Sequence, residues 1–211
     1  MKTPFVAVAA AAVAFTLAGC GTLPPWKSVP TGEQAEYGRI ETSRDLMQFL
    51  AFSDDPQISV ISIQNKGYRY PSRYAILLDV PAREAVRAAL EKYENWRSIA
   101  NENQTEITKT ITTLSVEQMY YQDREWHDAG DRDISFVFTS RIDPDGTQKF
   151  FLTLKPSPVF MMRWFFVVYG RDSMVLGDDE VATFNDLVQE EAVDKGYEKA
   201  KKKQDVINLF N

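Results

Sequence analysis

The chain has 211 residues, of which 26% are charged and 12% aromatic, and its formal net charge is −6. That aromatic content can fill the core of one domain and excludes a chain that is disordered throughout. An acidic balance with a pI near 5.0 speaks against nucleic acid as a partner and against a basic surface that would hold membrane.

Met1-Lys2-Thr3 gives a positive start, residues 5–17 are apolar or small apart from Thr16, and Ala18 and Gly19 follow. This is the layout of a secretory signal. The run of 13 residues falls short of the ~20 that a helix needs to cross a bilayer. A cleaved leader over 1–19 is therefore expected, not a permanent membrane helix. Cys20 is the sole cysteine, so no internal disulfide forms, and an odd cysteine in an exported chain needs another explanation. Leu17-Ala18-Gly19-Cys20 resembles the lipobox of bacterial lipoproteins. The resemblance covers residues 1–20 and implies cleavage before Cys20, a diacylglyceryl group on its sulfur and an acyl group on its new amine. Several acyl chains, at ~0.8 kcal/mol per buried methylene, hold a protein to a bilayer for good. Gly21 stands where enterobacterial lipoproteins kept at the inner membrane carry Asp. The resemblance thus implies the outer membrane, on its periplasmic side, in a Gram-negative cell, with the cell surface as a further location.

Residues 20–42 read as a flexible tether, with Pro24, Pro25, Pro30, Gly32 and Gly38 and no apolar period, which leaves 43–211 as a single domain. Trp26 interrupts the polarity and suits either the lipid headgroup layer or a dock on the domain. Ser43 as N-cap predicts a short helix over 44–52, with Leu46, Met47 and Leu50 on one face. Residues 58–64 and 73–80 predict two strands joined around Asn65-Lys66-Gly67. Pro81 suits a first helical turn, and Val86, Ala89, Leu90, Tyr93, Trp96 and Ile99 form one apolar stripe to about residue 100.

Residues 106–121, rich in Thr and Ile, predict one or two strands, and 126–130 a loop. Ile134, Phe136 and Phe138, then Phe150, Leu152 and Leu154, alternate around Asp143-Pro144-Asp145-Gly146 and predict a hairpin. Residues 159–169 hold ten apolar residues around Arg163 and predict a strand buried on both faces or one that shows a binding face. Asp178 as N-cap starts a helix over about 179–195 with Val181, Phe184, Leu187 and Val188 inward, and Gly196 ends or kinks it. Val206, Ile207, Leu209 and Phe210 are placed to fold back on the body. The expected fold is α+β: a mainly antiparallel sheet of five to seven strands, covered by helices near 82–100 and 179–195.

The sequence assembles no catalytic set. His127 is the only histidine and reads as a surface loop residue, and neither a nucleophile elbow nor metal-ligand spacing accompanies it. Asp123, Asp128, Asp131 and Asp133 crowd one stretch and form a weak Ca²⁺ candidate, since a hard cation takes oxygen ligands. Asp143-x-Asp145-Gly146 has part of a calcium-loop spacing, but Arg141 and Leu152 occupy the end positions, so it reads as a turn. Lys201, Lys202 and Lys203 read as a solvated helix end, and Asp178 with Asp179 as capping acids. No cofactor is implied. Two functions are carried forward. The first is a membrane-anchored, non-catalytic binding or scaffolding module for another envelope protein, with 159–169 and Tyr68, Tyr70, Tyr120 and Tyr121 as contact candidates. The second is a carrier or sensor of an apolar small molecule held between sheet and final helix, as helix-grip folds do. An enzyme built on an unusual carboxylate site ranks below both.

Overall fold

A computed structural model describes residues 32–65, 73–122, 125–157, 159–161, 167–169 and 173–209. Short turns make chain neighbours into sheet neighbours. β1 (Gln34–Glu41), β2 (Asp45–Phe52), β3 (Ser59–Asn65), β4 (Arg73–Leu78), β5 (Ile107–Gln122), β6 (Glu125–Ile142) and β7 (Gln148–Pro156) lie side by side in that order, and β10 (Met174–Leu176) closes the far edge. All pairs are antiparallel. With α1 (Val80–Asn103), α2 (Asp178–Leu187) and α3 (Glu190–Asn208), the fold is α+β as expected. The main sheet has eight strands, more than the five to seven read from the sequence.

The surplus comes from two corrections near the start. Residues 34–41, expected in the tether, form β1, and the expected helix over 44–52 is β2. In β2 the inward residues are Asp45, Met47, Phe49 and Ala51, a period of two, and the 46–47–50 stripe is a coincidence of a short apolar run. Thr42 Oγ1 accepts from the Arg44 and Asp45 amides and turns the chain between the strands. Gly38 is where Leu187 presses closest: a Cβ there would sit 2.2 Å from Leu187 Cδ2.

β3 and β4 form the predicted hairpin. Both faces of this part of the sheet are apolar: Ile61, Ile63, Ile76 and Leu78 face the helices, whereas Val60, Ala75 and Leu77 join Phe52 and Met119 in a smaller cluster behind. α1 begins where predicted, with Asp79 accepting from the Ala82 amide. Its inward face is Arg83, Val86, Ala89, Leu90 and Tyr93, while Ile99 is half exposed. Residues 126–130 are not a loop but part of β6, paired with β5 across a bulge. Residues 159–169 are not one strand: β8 (Val159–Met161) and β9 (Val167–Tyr169) pair with each other in a separate sheet, and residues 162–166 lie outside the described residues, as do Tyr68 and Tyr70.

The C-terminal helix is two helices. Gly177, not Asp178, caps α2, with its amide donating to Glu180 Oε2 at 3.1 Å. Gly196 lies inside α3, packed on Tyr37, and neither ends nor kinks it. Val206 and Leu209 stay exposed (54% and 81%) and do not fold back. α1 and α2 contribute to one core face, in which the Phe49 and Phe184 rings lie 5.8 Å apart and Tyr93 meets Phe138 edge-on at 5.5 Å. α2 touches β1 as well as β7 and β10; strands from both ends of the sheet therefore curl towards it, and its side chains fill the space between.

Candidate functional site

The crossover from β4 to β5 creates the main concavity. α1 has 24 residues, a length of ~36 Å. β5 returns over a similar length before it meets β4, ~37 Å for its first eleven residues. Pairing between the two strands is confined to Arg73↔Tyr121 through Ile76↔Gln118. It stops at the point where β6 bulges: Gln118 pairs with Gly130 and Met119 with Asp128, which leaves Ala129 without a register partner. A bulge sharpens local twist. Gly130 at φ +68 takes the left-handed conformation that a side chain resists, and the Asp128 carboxylate accepts from its amide. The β5–β6 pair thus turns away from β4 at the bulge. α1 lies along the part of β5 so released, and Lys92 Nζ donates to the Ile111 carbonyl at 3.1 Å.

At the N-terminal end of α1 a cleft of about 730 Å³ remains, within the size range of ligand sites. One wall is β5 from Thr113 to Glu117. The other is Leu77, Asp79 and the first turns of α1, and Asp55, Gln57 and Ile58 close one end. Four carboxylates line it, Asp55, Asp79, Glu117 and Asp131, and no lysine, arginine or histidine does among the described residues. Glu117 and Asp131 are register partners on one face, which brings their Cβ atoms to ~5 Å; Glu117 is only 8% exposed.

A polar cluster behind the cleft fixes its end wall. Arg83, 1% exposed, donates to the carbonyls of Gln57 (2.6 Å) and Leu78 (3.1 Å) and pairs with Glu190 at 3.1 Å. Arg87 reaches the same carboxylate at 2.9 Å. The hydrogen bonds from Arg87 and then Arg83 hold Glu190 below the usual carboxylate range. Tyr37 bonds Ser59 beside this cluster, and burial pushes its phenol up to about 12.

The residues singled out from the sequence are not gathered together. Cys20 and Asp123 lie outside the described residues, as do the side chains of Tyr121 and His127. Asp131 lines the cleft, Asp133 is exposed opposite Ser115, and Asp128 is turned back to its own backbone. On a strand, residues two apart stand ~7 Å from one another along one face, so these acids do not form the loop imagined for Ca²⁺. Among the described residues no group of three His, Cys, Asp or Glu is placed to hold a metal. Tyr120 is half-buried on β5. Of the lysines at 201–203, Lys203 pairs with Glu33 and donates to the Gln34 carbonyl, and with Lys199, which donates to the Glu36 carbonyl, it clamps β1. Asp178 receives the Tyr93 hydroxyl at 2.9 Å and pairs with Arg97 at 3.2 Å. The sequence reading missed Asp55, Asp79 and Glu117 as a set. The signal available was Glu117, the one acid in the sequence of β5.

Compared with known proteins, the chain matches no family, no curated protein and no solved structure at a significant level.

Proposed function

We propose that the chain is a lipid-anchored module of the bacterial envelope that binds or scaffolds another envelope protein. The observation that carries this reading is the lipobox ending in the sole cysteine, Cys20, a short way ahead of the fold. The Gly32 amide already donates to Asp54 Oδ2 and the Glu33 amide to Ser53 Oγ. Eleven residues, 21–31, are left between the acylated cysteine and that first grip, ~18 Å as a coil. The domain would then work close to the bilayer, at the outer membrane on its periplasmic side. The burial of Val181, Phe184 and Val188 in the core supports this reading over a carrier of an apolar molecule, which would need a chamber beneath those residues.

Phase partitioning of the native protein tests the anchor. The wild type is expected in the detergent phase and the Cys20→Ser variant in the aqueous phase; a mature Cys20→Ser chain that still enters detergent contradicts it. Crosslinking in intact cells tests the binding role: no protein enriched over a lipidated tether alone would contradict that part.

A further inference from the structure

An acidic cleft next to a strand that has left its partner has a chemistry of its own. Among the described residues no strand pairs with β5 on its β4 side between Ile107 and Glu117. α1 lies along the first part of that edge, where Lys92 takes the Ile111 carbonyl. The remaining part, Thr113 to Glu117, forms a wall of the cleft. An open edge is a template for another strand, because every second residue turns its N–H and C=O outward. Five residues give ~17 Å, the length of an ordinary short strand.

We infer that this edge accepts an extended, lysine- or arginine-bearing segment of a partner protein, which adds to β5 as a strand and sets its cationic side chains among Asp55, Asp79, Glu117 and Asp131. Three features of the cleft converge on that occupant. The edge supplies main-chain recognition that only a polypeptide can answer. The four carboxylates supply a single sign of charge, and the register pair Glu117↔Asp131 sets two of them where one inserted cation meets both. Leu77, Val116 and Ile58 supply apolar contact for the alternate side chains of the same segment, since successive residues of a strand point to opposite sides. An anionic or purely apolar segment finds only one or two of these. Arg83, buried behind the end wall, is engaged by the Gln57 and Leu78 carbonyls and the Glu190 carboxylate.

The inference rests on the binding-module reading and specifies its contact. The test uses the mature lipidated chain in nanodiscs of zwitterionic lipid and a blocked peptide, Lys-Val-Lys-Val-Lys-Val. The peptide is expected to bind, to weaken steeply as salt rises, and to slow amide hydrogen exchange at 113–117. The Glu-Val peptide of equal length and the fully N-methylated peptide are expected to bind roughly tenfold more weakly or worse. The double substitution Glu117→Gln, Asp131→Asn is expected to weaken the Lys-Val peptide by about tenfold. Spermidine binding as tightly as the peptide, or an N-methylated peptide binding equally well, would overturn strand addition in favour of a simple cation site. Exchange protection confined to other strands, or peptide binding that appears only after residues 21–31 are removed, would overturn it as well. In the cell, a partner crosslinked equally by the wild type and the double variant would overturn the cleft while leaving the anchored-module reading intact.

Discussion

Two strand edges in this molecule face the same problem and meet it differently. The outer edge of β1 is the end of the sheet, where bare carbonyls invite pairing with another chain. α3 covers it: Lys203 takes the Gln34 carbonyl and Lys199 the Glu36 carbonyl, while Gly196 lets α3 pack directly on Tyr37. The inner edge of β5, released from β4 at the bulge, receives one lysine at Ile111 and then opens into an acid-lined cleft. The first edge has been made unavailable by the chain's own basic residues. Among the described residues the charged side chains that line the second are all acids, which suits a basic segment. That contrast separates the part of the fold that maintains the structure from the part free to bind.

The strongest way to break the closed side is to hollow the core under it. Phe184→Ala removes a buried ring tilted against Phe49 and is expected to lose about 3–5 kcal/mol in urea unfolding, with peptide binding unchanged while the protein stays folded. Arg83→Met tests the link between the two sides. It strands the Gln57 and Leu78 carbonyls and one end of the cleft, and should remove about 3 kcal/mol of stability and weaken peptide binding together. Gly196→Ala places a Cβ 2.5 Å from Tyr37 Cδ1; overpacking of this kind takes about 1–3 kcal/mol, and hydrogen exchange should accelerate along β1 and not along β5.

Smaller changes sharpen the comparison. Gly130→Ala forces a side chain into the left-handed conformation at the bulge, about 1–2 kcal/mol by calorimetry, and should disturb the cleft more than its stability effect implies. Near neutral pH the smallest expected effect is that of Tyr37, whose ionisation shows only in alkali. Tyr37 stays protonated to about 12 when folded, whereas in the unfolded chain it ionises near ~10. The unfolded state therefore holds fewer protons above that point, and stability falls as pH rises from ~10 towards 12. Tyr37→Phe should remove this contribution, leaving a shallower alkaline slope in unfolding titrations.

Much of the fold was legible in local pattern. The hairpins at 58–80 and 134–154, the start of α1 at Pro81 and the inward face of α2 follow from alternation, turn residues and capping. β1 and β2 were not legible because glycine at 38 looked like tether, and the six apolar residues among Leu46 to Phe52 fit a helical stripe nearly as well as a strand. Only pairing with β3 decides between them. The cleft was hidden for a related reason. Asp55, Asp79, Glu117 and Asp131 are far apart in the chain, and they meet only because β4 and β5 part at Gln118. Neither the register nor the bulge at Ala129 is written in residue types; both are properties of the paired strands.

The claim that the β5 edge is the binding face is tested most directly by site-specific photocrosslinking of the native lipoprotein in its own cell. A photoreactive residue at Ser115, on the cleft wall, is compared with one at Val175, exposed on β10 at the far edge of the sheet. The account predicts that Ser115 captures a partner protein through an extended segment carrying lysine or arginine, located by mass spectrometry of the crosslinked peptide, and that Val175 does not. Capture of the same segment from both positions, or from Val175 alone, would contradict it.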